Sequence, residues 1–445
     1  MSIQRVLLKD LDESAFTVEH GRIYSIALLG HLFDGFDINV MGFVLPGIIA
    51  TFHLTGASAG FLGSAVFFGM FLGAGGGGLL ADAIGRKKTI ILAMVIYGLT
   101  SFLAAAAPTY WTLWIVRLIE GVGLGAEVIL IFSYLVEFLP VKNRGTLTSS
   151  SVFFWQISSL IAALIAIVVV PSYGWRWMFV IGAVPAFICA VAWAYLPESV
   201  RFLIHKGRLK EARDIVRKIS TVSVSGDDGA AEAELQKKVP LSSLLGRVYW
   251  RKTLSVWTMQ FINGFVFFGI AVWLPSIFLK MGFSFTHSLL FTALITGAGA
   301  VGNVVGGFLL DKWGRRPTLI AYQLIGGLAL AAWGLGTSSG AIITIGAIGA
   351  FFSFGTAGPL FTYVSEVYPT SLRATGVGVS GSWQRVGGIV APYVLGLFIG
   401  ANVPVYAIFA FVGALMIVNG VIAWLTVLET KRETLEQIQS DIISL

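Results

Sequence analysis

The sequence is poor in charged residues and in cysteine. Asp, Glu, Lys and Arg make up 12% of the 445 residues, whereas hydrophobic residues make up 56%. A soluble domain needs about twice that share of charge, so the composition excludes an ordinary soluble protein and indicates a membrane protein. Cys189 is the only cysteine, which excludes an internal disulfide.

Several motifs of other protein classes are also absent. There is no Gly-x-x-x-x-Gly-Lys-Ser/Thr loop for nucleotide phosphates, which argues against an ATP-driven pump. Gly75–Gly78 lie inside an apolar run, where consecutive glycines indicate close helix packing rather than phosphate binding. No Cys/His cluster suggests a metal site, so we expect no cofactor. Residues 1–22 are polar, and the apolar run that starts near Ile23 is too long for a cleaved signal peptide.

What the sequence does contain is a series of long apolar runs. They predict an all-α membrane protein with twelve transmembrane helices. The predicted helices cover about residues 23–50, 58–80, 89–107, 110–137, 146–170, 177–196, 254–279, 286–310, 318–337, 341–365, 376–400 and 405–427. They divide the chain into an N-terminal segment (1–22), a first six-helix half (23–197), a central loop (198–252), a second six-helix half (253–428) and a C-terminal tail (429–445).

The net charge of +7 is explained by the positions of the basic residues. If the N-terminus is cytoplasmic, all but four of the 30 Lys and Arg residues fall in cytoplasmic segments. The four exceptions are Arg117, Arg176, Lys280 and Arg385. Because basic residues collect on the cytoplasmic side of membrane proteins, we predict that both termini are cytoplasmic and that no nucleic-acid partner is involved.

The two halves share an internal repeat. Residues at the cytoplasmic helix ends of the first half recur 229 residues later: Gly78, Asp82, Gly85, Arg86, Glu137, Pro140 and Arg144 correspond to Gly307, Asp311, Gly314, Arg315, Glu366, Pro369 and Arg373. Such repeats are typical of transporters that hold a small-molecule substrate near the midplane between their halves. The acids and arginines of the set can form a charge network that closes the cytoplasmic side of the protein. We predict that this network is a gate, which must break before that side can open, and the alternative is that these residues only anchor the topology.

Several of these motifs resemble those of a known superfamily. The loop from Gly78 to Arg86 and its copy at 307–316 resemble the signature loop of the major facilitator superfamily. Asp34-Gly35-Phe36-Asp37 and the run Trp175–Ile219 resemble its synaptic-vesicle-protein-like branch and the bacterial metabolite:proton symporters of that branch. The Asp-Gly-aromatic-Asp pattern is also similar to that of aromatic acid:proton symporters. The resemblance implies a major facilitator fold with two pseudo-symmetric six-helix halves, alternating access and a monomer.

Ionisable residues inside the predicted helices are the strongest functional signal. A charged side chain in the middle of the membrane costs at least ~2.5–3.5 kcal/mol of free energy. Each such residue therefore indicates a functional or structural role. Their spacing places three on one face of the first helix, three on one face of the fourth and one in the eleventh: His31, Asp34 and Asp37; Arg117, Glu120 and Glu127; and Arg385. We expect these faces to point into a central cavity, where the excess of acids over arginines favours protonation of some acids near neutral pH.

The resemblance also implies roles for these residues. A first-helix acid paired with Arg117 would couple protons, so Asp34 or Asp37 with Arg117 forms the expected coupling set, and a fixed structural pair is the alternative. Glu127 is a further candidate proton carrier. Glu120 is interpreted as a local partner of Arg117, and His31 as a packing histidine, with a role in proton transfer as the alternative. Protons are the expected coupling ion.

Arg385 predicts the charge of the substrate. Its planar guanidinium matches a carboxylate, and an arginine in the eleventh helix resembles the pattern of organic-anion carriers. The alternative is a structural pair with a first-helix acid. Aromatic and polar side chains that could surround a flat ring, or merely pack between helices, are Trp155, Gln156, Gln260, Asn263, Phe354, Phe361 and Trp383.

Together, these features predict a proton-coupled symporter that imports a small aromatic carboxylate, such as nicotinate or a hydroxybenzoate, across a bacterial inner membrane. The alternatives are a proton-driven drug or organic-ion exporter, a symporter of a sugar or another metabolite, and a membrane sensor that no longer transports. Arg385 argues against the exporter, and the repeated gate motifs argue against the sensor. No motif indicates an enzyme.

Overall fold

The computed structural model describes residues 7, 10–221, 244–246, 249–336, 338–368 and 370–431. Within its helices, the side chains of residues 143–146, 148–152, 370–371 and 373–374 lie outside this description. Every regular element in the described ranges is a helix. By length and composition, nine of the helical units in those ranges could cross a membrane.

The long helices form two halves of six helical units each. The first half contains α1 (Val18–Phe52), α2 (Gly56–Ile84), α3 (Arg86–Ala105), α4 (Tyr110–Phe138), α5 (Val141–Tyr173) and α6 (Arg176–Ala194). Two short helices follow, α7 (Val200–His205) and α8 (Leu209–Ile219). The second half contains α9 (Trp250–Lys280), α10 (Phe285–Trp313), α11 (Arg315–Trp333), α12 (Ser339–Ser353) continued by α13 (Ala357–Val367), α14 (Thr370–Gly400) and α15 (Val405–Thr426).

The helices extend beyond the apolar runs that predicted them. α1 begins at Val18 rather than near residue 23, because the Thr17 hydroxyl accepts the His20 N–H and caps the first turn. α5 begins at Val141, directly after Pro140. Hydropathy detects only the apolar part of a helix, so it misses polar turns that continue past the membrane.

The predicted central loop contains two helices, α7 and α8. They were not predicted, because the segment is polar and has no long apolar run. On α8, Ala212, Val216 and Ile219 are buried, whereas Lys210 and Arg217 are exposed. This alternation at helical spacing gives the segment one face that packs on the protein and one that faces water. Residues 222–243 of the predicted loop lie outside the described ranges.

The tenth predicted helix is interrupted. α12 ends at Ser353, a short 3-10 turn covers Phe354–Thr356, and α13 continues from Ala357. A Cβ at Gly355 would lie 2.7 Å from the carbonyl carbon of Gly302 in α10, so only glycine permits this approach. The interruption lies where the two halves face each other.

We call the surface between the two halves the seam. The inner end of the bundle is the end that carries α7 and α8, and the outer end is opposite. In the outer part of the seam, Ser64 of α2 donates a hydrogen bond to the Ile389 carbonyl of α14 (2.5 Å), and a Cβ at Gly60 would collide with the Pro392 carbonyl oxygen. This part of the seam is therefore closed by direct contact between backbones.

The inner part of the seam is more open. Phe132 of α4 and Phe361 of α13 face each other across it, with ring centres 6.1 Å apart. Phe361 is nevertheless 46% exposed. Since its ring lies against the other half, this exposure indicates open space at the inner end of the seam.

Candidate functional site

Two carboxyl groups meet inside the first half. Asp34 of α1 lies beside Glu127 of α4, and both side chains are completely buried. Gly30 makes the approach of α4 possible, because a Cβ there would lie 3.3 Å from Glu127 Oε1. In the described part of the chain, no N–H or O–H group of another residue donates to either carboxyl group. Two ionised carboxylates side by side, buried and without a donor or a cation to compensate them, would be very costly, so at least one of the pair holds a proton.

A second cluster lies one turn further along α1. Arg117 Nη1 of α4 is 2.8 Å from Glu120 Oε1 and 3.6 Å from Asp37 Oδ2. Ser101 of α3 donates to Asp37 Oδ1 (3.4 Å), and the guanidinium lies over the Phe179 ring of α6 at 5.2 Å. Burial without charge compensation would be very costly, so Arg117 stabilises the two acids and they stabilise it. The sequence left open which first-helix acid lies beside Arg117, and in the structure it is Asp37.

Neither cluster faces the seam. The prediction that the charged faces of the first and fourth helices point into a central cavity is therefore wrong for these side chains. They lie between α1, α3, α4 and α6, all of the first half, and each of Asp34, Asp37, Arg117, Glu120 and Glu127 is at most 1% exposed. Because these side chains lie against one another, they can be accommodated in the interior of one half. The spacing of the residues along each helix does not reveal these contacts between helices.

A pocket opens in the seam itself. Residues of both halves line it: Asn39, Trp155, Gln156, Ser159, Phe267, Thr296 and Phe354. Three of them, Trp155, Gln156 and Phe354, were predicted as substrate contacts. The other four were missed, although an uncharged polar residue inside an apolar run was an available signal for Asn39, Ser159 and Thr296.

The pocket has aromatic walls and polar groups between them. The Phe267 ring centre is 5.9 Å from that of Trp155 and 4.8 Å from that of Phe354. Gln156 is 6% exposed, and its side-chain oxygen has no hydrogen-bond partner in the described part of the structure. Unpaired buried polar groups are costly, so such an atom is available to a ligand. The lining chemistry suits a flat ring with a polar substituent, whereas the free space in this conformation, about 10 Å³, is that of a single water molecule.

The remaining predicted substrate residues lie outside the pocket lining. Gln260 and Asn263 are buried in α9, and Asn263 accepts a hydrogen bond from Gln384. Trp383 stacks on Trp257 at 5.5 Å, within the second half. Phe361 lies at the inner end of the seam, as described above.

Arg385 is partly buried on α14. Its Nη1 donates to the Gly381 carbonyl (3.1 Å), and its Nε is buried without a hydrogen-bond partner. The first-helix acids are paired with residues of α4 instead. Within the described residues, no carboxylate forms an ion pair with Arg385.

Charge networks hold the inner end of each half. In the first half, Arg86 pairs with Glu137, which also accepts hydrogen bonds from the Ser199 hydroxyl (2.7 Å) and the Arg201 N–H (2.7 Å). The internal repeat in the sequence predicted Arg86 and Glu137 as gate residues but gave no signal for Ser199. The network joins α3, α4 and the start of α7.

The second half repeats this arrangement. Arg315 forms two hydrogen bonds with Glu366, of 2.7 and 3.0 Å, and lies 3.8 Å from Asp311. The Thr430 hydroxyl donates to Glu366 (2.6 Å), as Ser199 does to Glu137. Each network thus ties helices within one half rather than across the seam.

The structure gives less information on the other predicted gate residues. Asp82 lies exposed near the inner end of α2. The side chains of Arg144 and Arg373 lie outside the described part of the structure. Within the described residues, no cluster of His, Cys, Asp and Glu has the arrangement of a metal site.

Known proteins are similar to this chain in sequence and in fold. A family model described as "Sugar (and other) transporter" matches residues 23–442. The niacin transporter NiaP of Acinetobacter baylyi is 31% identical over 424 residues, which cover 94% of this chain and 96% of the relative. The gallate transporter of Pseudomonas putida is 30% identical over 389 residues, covering 86% of each chain. A solved structure of the xylose transporter XylE from E. coli, in a partially occluded inward-open conformation, superposes with a TM-score of 0.77 at 20% identity, covering 94% of this chain and 100% of the other.

The two-half helical fold, with buried charges in one half and a pocket in the seam, is that of a multi-pass membrane transporter of the major facilitator superfamily, not of an enzyme. The chain belongs to the family of sugar (and other) transporters.

Proposed function

We propose that this chain is a symporter that imports a small aromatic carboxylate together with protons by alternating access. The observation that carries the proposal is the buried pair of Asp34 and Glu127. The pair is buried, has no cation beside it among the described residues, and lies in the half that also contains the Arg117 cluster, so burial keeps at least one of its acids protonated. A group that is protonated when enclosed and loses the proton when water reaches it is what proton coupling requires.

The charge balance links this proton to an anionic substrate. The acids Asp34, Asp37, Glu120 and Glu127 outnumber Arg117, the only arginine among them. A carboxylate that enters the seam adds another negative charge close to these acids, and in a medium of low dielectric this favours retention of the proton. Substrate and proton would therefore be bound together and released together.

The pocket supplies the substrate class. Trp155, Phe267 and Phe354 offer ring faces, and Gln156 and Asn39 offer hydrogen bonds. Niacin and gallate, which appear in the names of two relatives, are both ring carboxylic acids. We assign a substrate of this class, such as nicotinate or a hydroxybenzoate, to the pocket.

Arg385 is assigned to the carboxylate of the substrate. The alternative of a structural pair with a first-helix acid has no support, since Asp34 and Asp37 bind residues of α4. The unpaired Nε leaves one edge of the guanidinium free to donate. Arg385 lies outside the pocket lining, as do Gln260, Asn263, Phe361 and Trp383, so all five would approach the substrate only in another conformation.

The charge networks at the inner end are assigned to the cytoplasmic gate. Because each network stiffens one half, the halves can rock as rigid bodies about the pocket. The inner end is assigned to the cytoplasm of a bacterial cell, with both termini on that side, from the distribution of Lys and Arg. Since both halves of the seam belong to one chain, a monomer is sufficient for transport.

Uptake into proteoliposomes tests the proposal. The purified protein would be given labelled nicotinate, 4-hydroxybenzoate, a sugar and an organic cation, each with and without an inward proton gradient. We expect accumulation of the ring carboxylates only with the gradient, and loss of accumulation in Asp34→Asn. Accumulation that is independent of the gradient would contradict the coupling, and transport of the cation but not of the acids would contradict the substrate class.

A sugar is the second candidate substrate. The family model names sugars, and the pocket contains Asn39, Gln156, Ser159 and Thr296, which can bind hydroxyl groups. The same uptake panel separates the two, because a sugar would be transported equally well by Arg385→Gln.

A further inference from the structure

His31 stands beside the proton-holding pair with an unused ring nitrogen. It lies one turn before Asp34 on α1 and is 2% exposed. Its Nδ1 is 3.9 Å from Asp34 Oδ2 and has no hydrogen-bond partner in the described part of the structure. A histidine that served only for packing would usually satisfy this atom. A distance of 3.9 Å is closed by a small rotation of either side chain.

The opposite side of His31 leads to the seam. Its ring packs edge-on against Phe132, with ring centres 4.7 Å apart. Phe132 in turn faces Phe361 across the inner part of the seam, where Phe361 is 46% exposed. A single aromatic ring therefore separates His31 from the open inner end.

Other charged groups do not offer an equivalent route. The described charged groups around His31 are Asp34 on its own helix and Glu127 on α4, which form the pair itself. Asp37 and Arg117 lie one turn further towards the outer end, where Ser64 and Ile389 close the seam. Tyr97 of α3 and Cys189 of α6 are also buried beside the pair, whereas His31 is the side chain that packs on Phe132 at the seam.

We propose that His31 transfers the proton between the Asp34–Glu127 pair and the inner end of the seam. The acid O–H gives its proton to His31 Nδ1, which leaves a carboxylate and an imidazolium. The imidazolium then gives the proton on Nε2 to water beside Phe132, which leaves the Nδ1–H tautomer, and a flip of the ring turns the bare Nε2 towards the pair so that it can accept the next proton. The physiological meaning of this step rests on the proposed proton symport, but the transfer itself can be measured without any substrate.

Hydrogen–deuterium exchange of the buried carboxylic acid tests the transfer. Infrared spectra of the reconstituted protein after transfer to D2O would follow the C=O band of the acid, identified as the band that Asp34→Asn or Glu127→Gln removes or shifts. We expect His31→Gln and His31→Asn to slow the exchange at least about tenfold, because a side chain that cannot be protonated cannot relay the proton. His287→Gln, the same change at an exposed histidine of α10, is the control and should exchange at the normal rate.

A double variant distinguishes proton relay from a structural effect. In His31→Gln with Phe132→Ala, water should reach the pair directly and the exchange should recover. Unchanged exchange in both His31 variants would overturn the proposal, as would spectra in which neither Asp34→Asn nor Glu127→Gln changes a carboxylic-acid band. If exchange slows but does not recover in the double variant, His31 acts through the local packing and the proposal is also wrong.

A transport measurement connects the relay to function. His31→Gln should lose gradient-driven accumulation but keep the exchange of labelled for unlabelled substrate, since this exchange needs no net proton movement. Wild-type protein that fails to accumulate any ring carboxylate would contradict the proposed function alone, because the infrared result uses no substrate.

Discussion

Glu198 and Glu429 occupy equivalent places in the two halves. The Glu198 carboxylate accepts the backbone N–H of Lys87 at the start of α3, and the Glu429 carboxylate accepts those of Arg315 and Arg316 at the start of α11. An acid at a helix N-terminus satisfies free N–H groups and interacts favourably with the helix dipole. Each acid thereby fastens the end of its half to the helix that carries the gate arginine.

The glycine before each of these helices is part of the same contact. Gly85 and Gly314 both have φ of +106°, and a Cβ on either would collide with the neighbouring glutamate carboxylate. We expect Gly85→Ala to lower the free energy of unfolding by about 1–3 kcal/mol, because only glycine adopts this backbone conformation readily. The thermal midpoint of the protein in detergent would measure the loss.

Gly75→Ala is the matched control for that substitution. A Cβ at Gly75 meets no atom within 4 Å, and alanine favours a helix interior over glycine by up to ~1 kcal/mol. Its midpoint should therefore be unchanged or slightly raised. Equal midpoints for Gly85→Ala and the wild type would contradict the requirement for glycine at this backbone conformation.

The order of the spanning helices and the presence of buried charges could be predicted from the sequence. Both leave local signals, since an apolar run has a length and charges on one helix have a spacing. The pairing of these charges could not be predicted, because it depends on how α1 and α4 approach each other. Asp34 reaches Glu127 rather than Arg117 because Gly30 lets α4 come close at that level.

The pocket lining illustrates the same limit. Trp155 and Gln156 were predicted from their position in the repeat, whereas Thr296 faces the seam only because α10 packs against the first half. The repeat also failed to reveal Glu429, since it is 231 residues from Glu198 rather than 229. A small shift in register is sufficient to hide an equivalent residue.

Neutralising either member of the carboxyl pair should separate proton movement from substrate movement. We expect Asp34→Asn and Glu127→Gln each to reduce gradient-driven accumulation about tenfold or more, because the remaining acid can no longer share a proton. Exchange of labelled for unlabelled substrate across the membrane should continue. Glu211→Gln removes a charge from an exposed position on α8 and should leave both measurements unchanged. Wild-type accumulation in both buried variants would contradict the proton-carrying role.

The aromatic wall should determine affinity for the ring. We expect Trp155→Ala to raise Kd for nicotinate about tenfold, since loss of one ring contact of ~1.4 kcal/mol corresponds to that factor. Binding measured by isothermal titration on the detergent-solubilised protein would give the value. Trp111→Ala, at a side chain that is 62% exposed, should leave Kd unchanged. Equal affinity in Trp155→Ala would place the ring elsewhere.

A larger residue at Gly60 should open the outer part of the seam and close the inner part. Gly60 lies against the Pro392 backbone, so the side chain of Gly60→Leu cannot fit unless α2 and α14 separate. Overpacking of ~1–3 kcal/mol would shift the population towards the opposite state by roughly tenfold or more.

A reporter cysteine in Phe361→Cys can be labelled selectively, because Cys189 is only 2% exposed. Its labelling rate should fall in the Gly60→Leu background and stay constant with Gly76→Leu, where a Cβ meets no atom within 4 Å. An unchanged rate with Gly60→Leu would mean that the two ends of the seam open independently, which is incompatible with rigid halves that rock about the pocket.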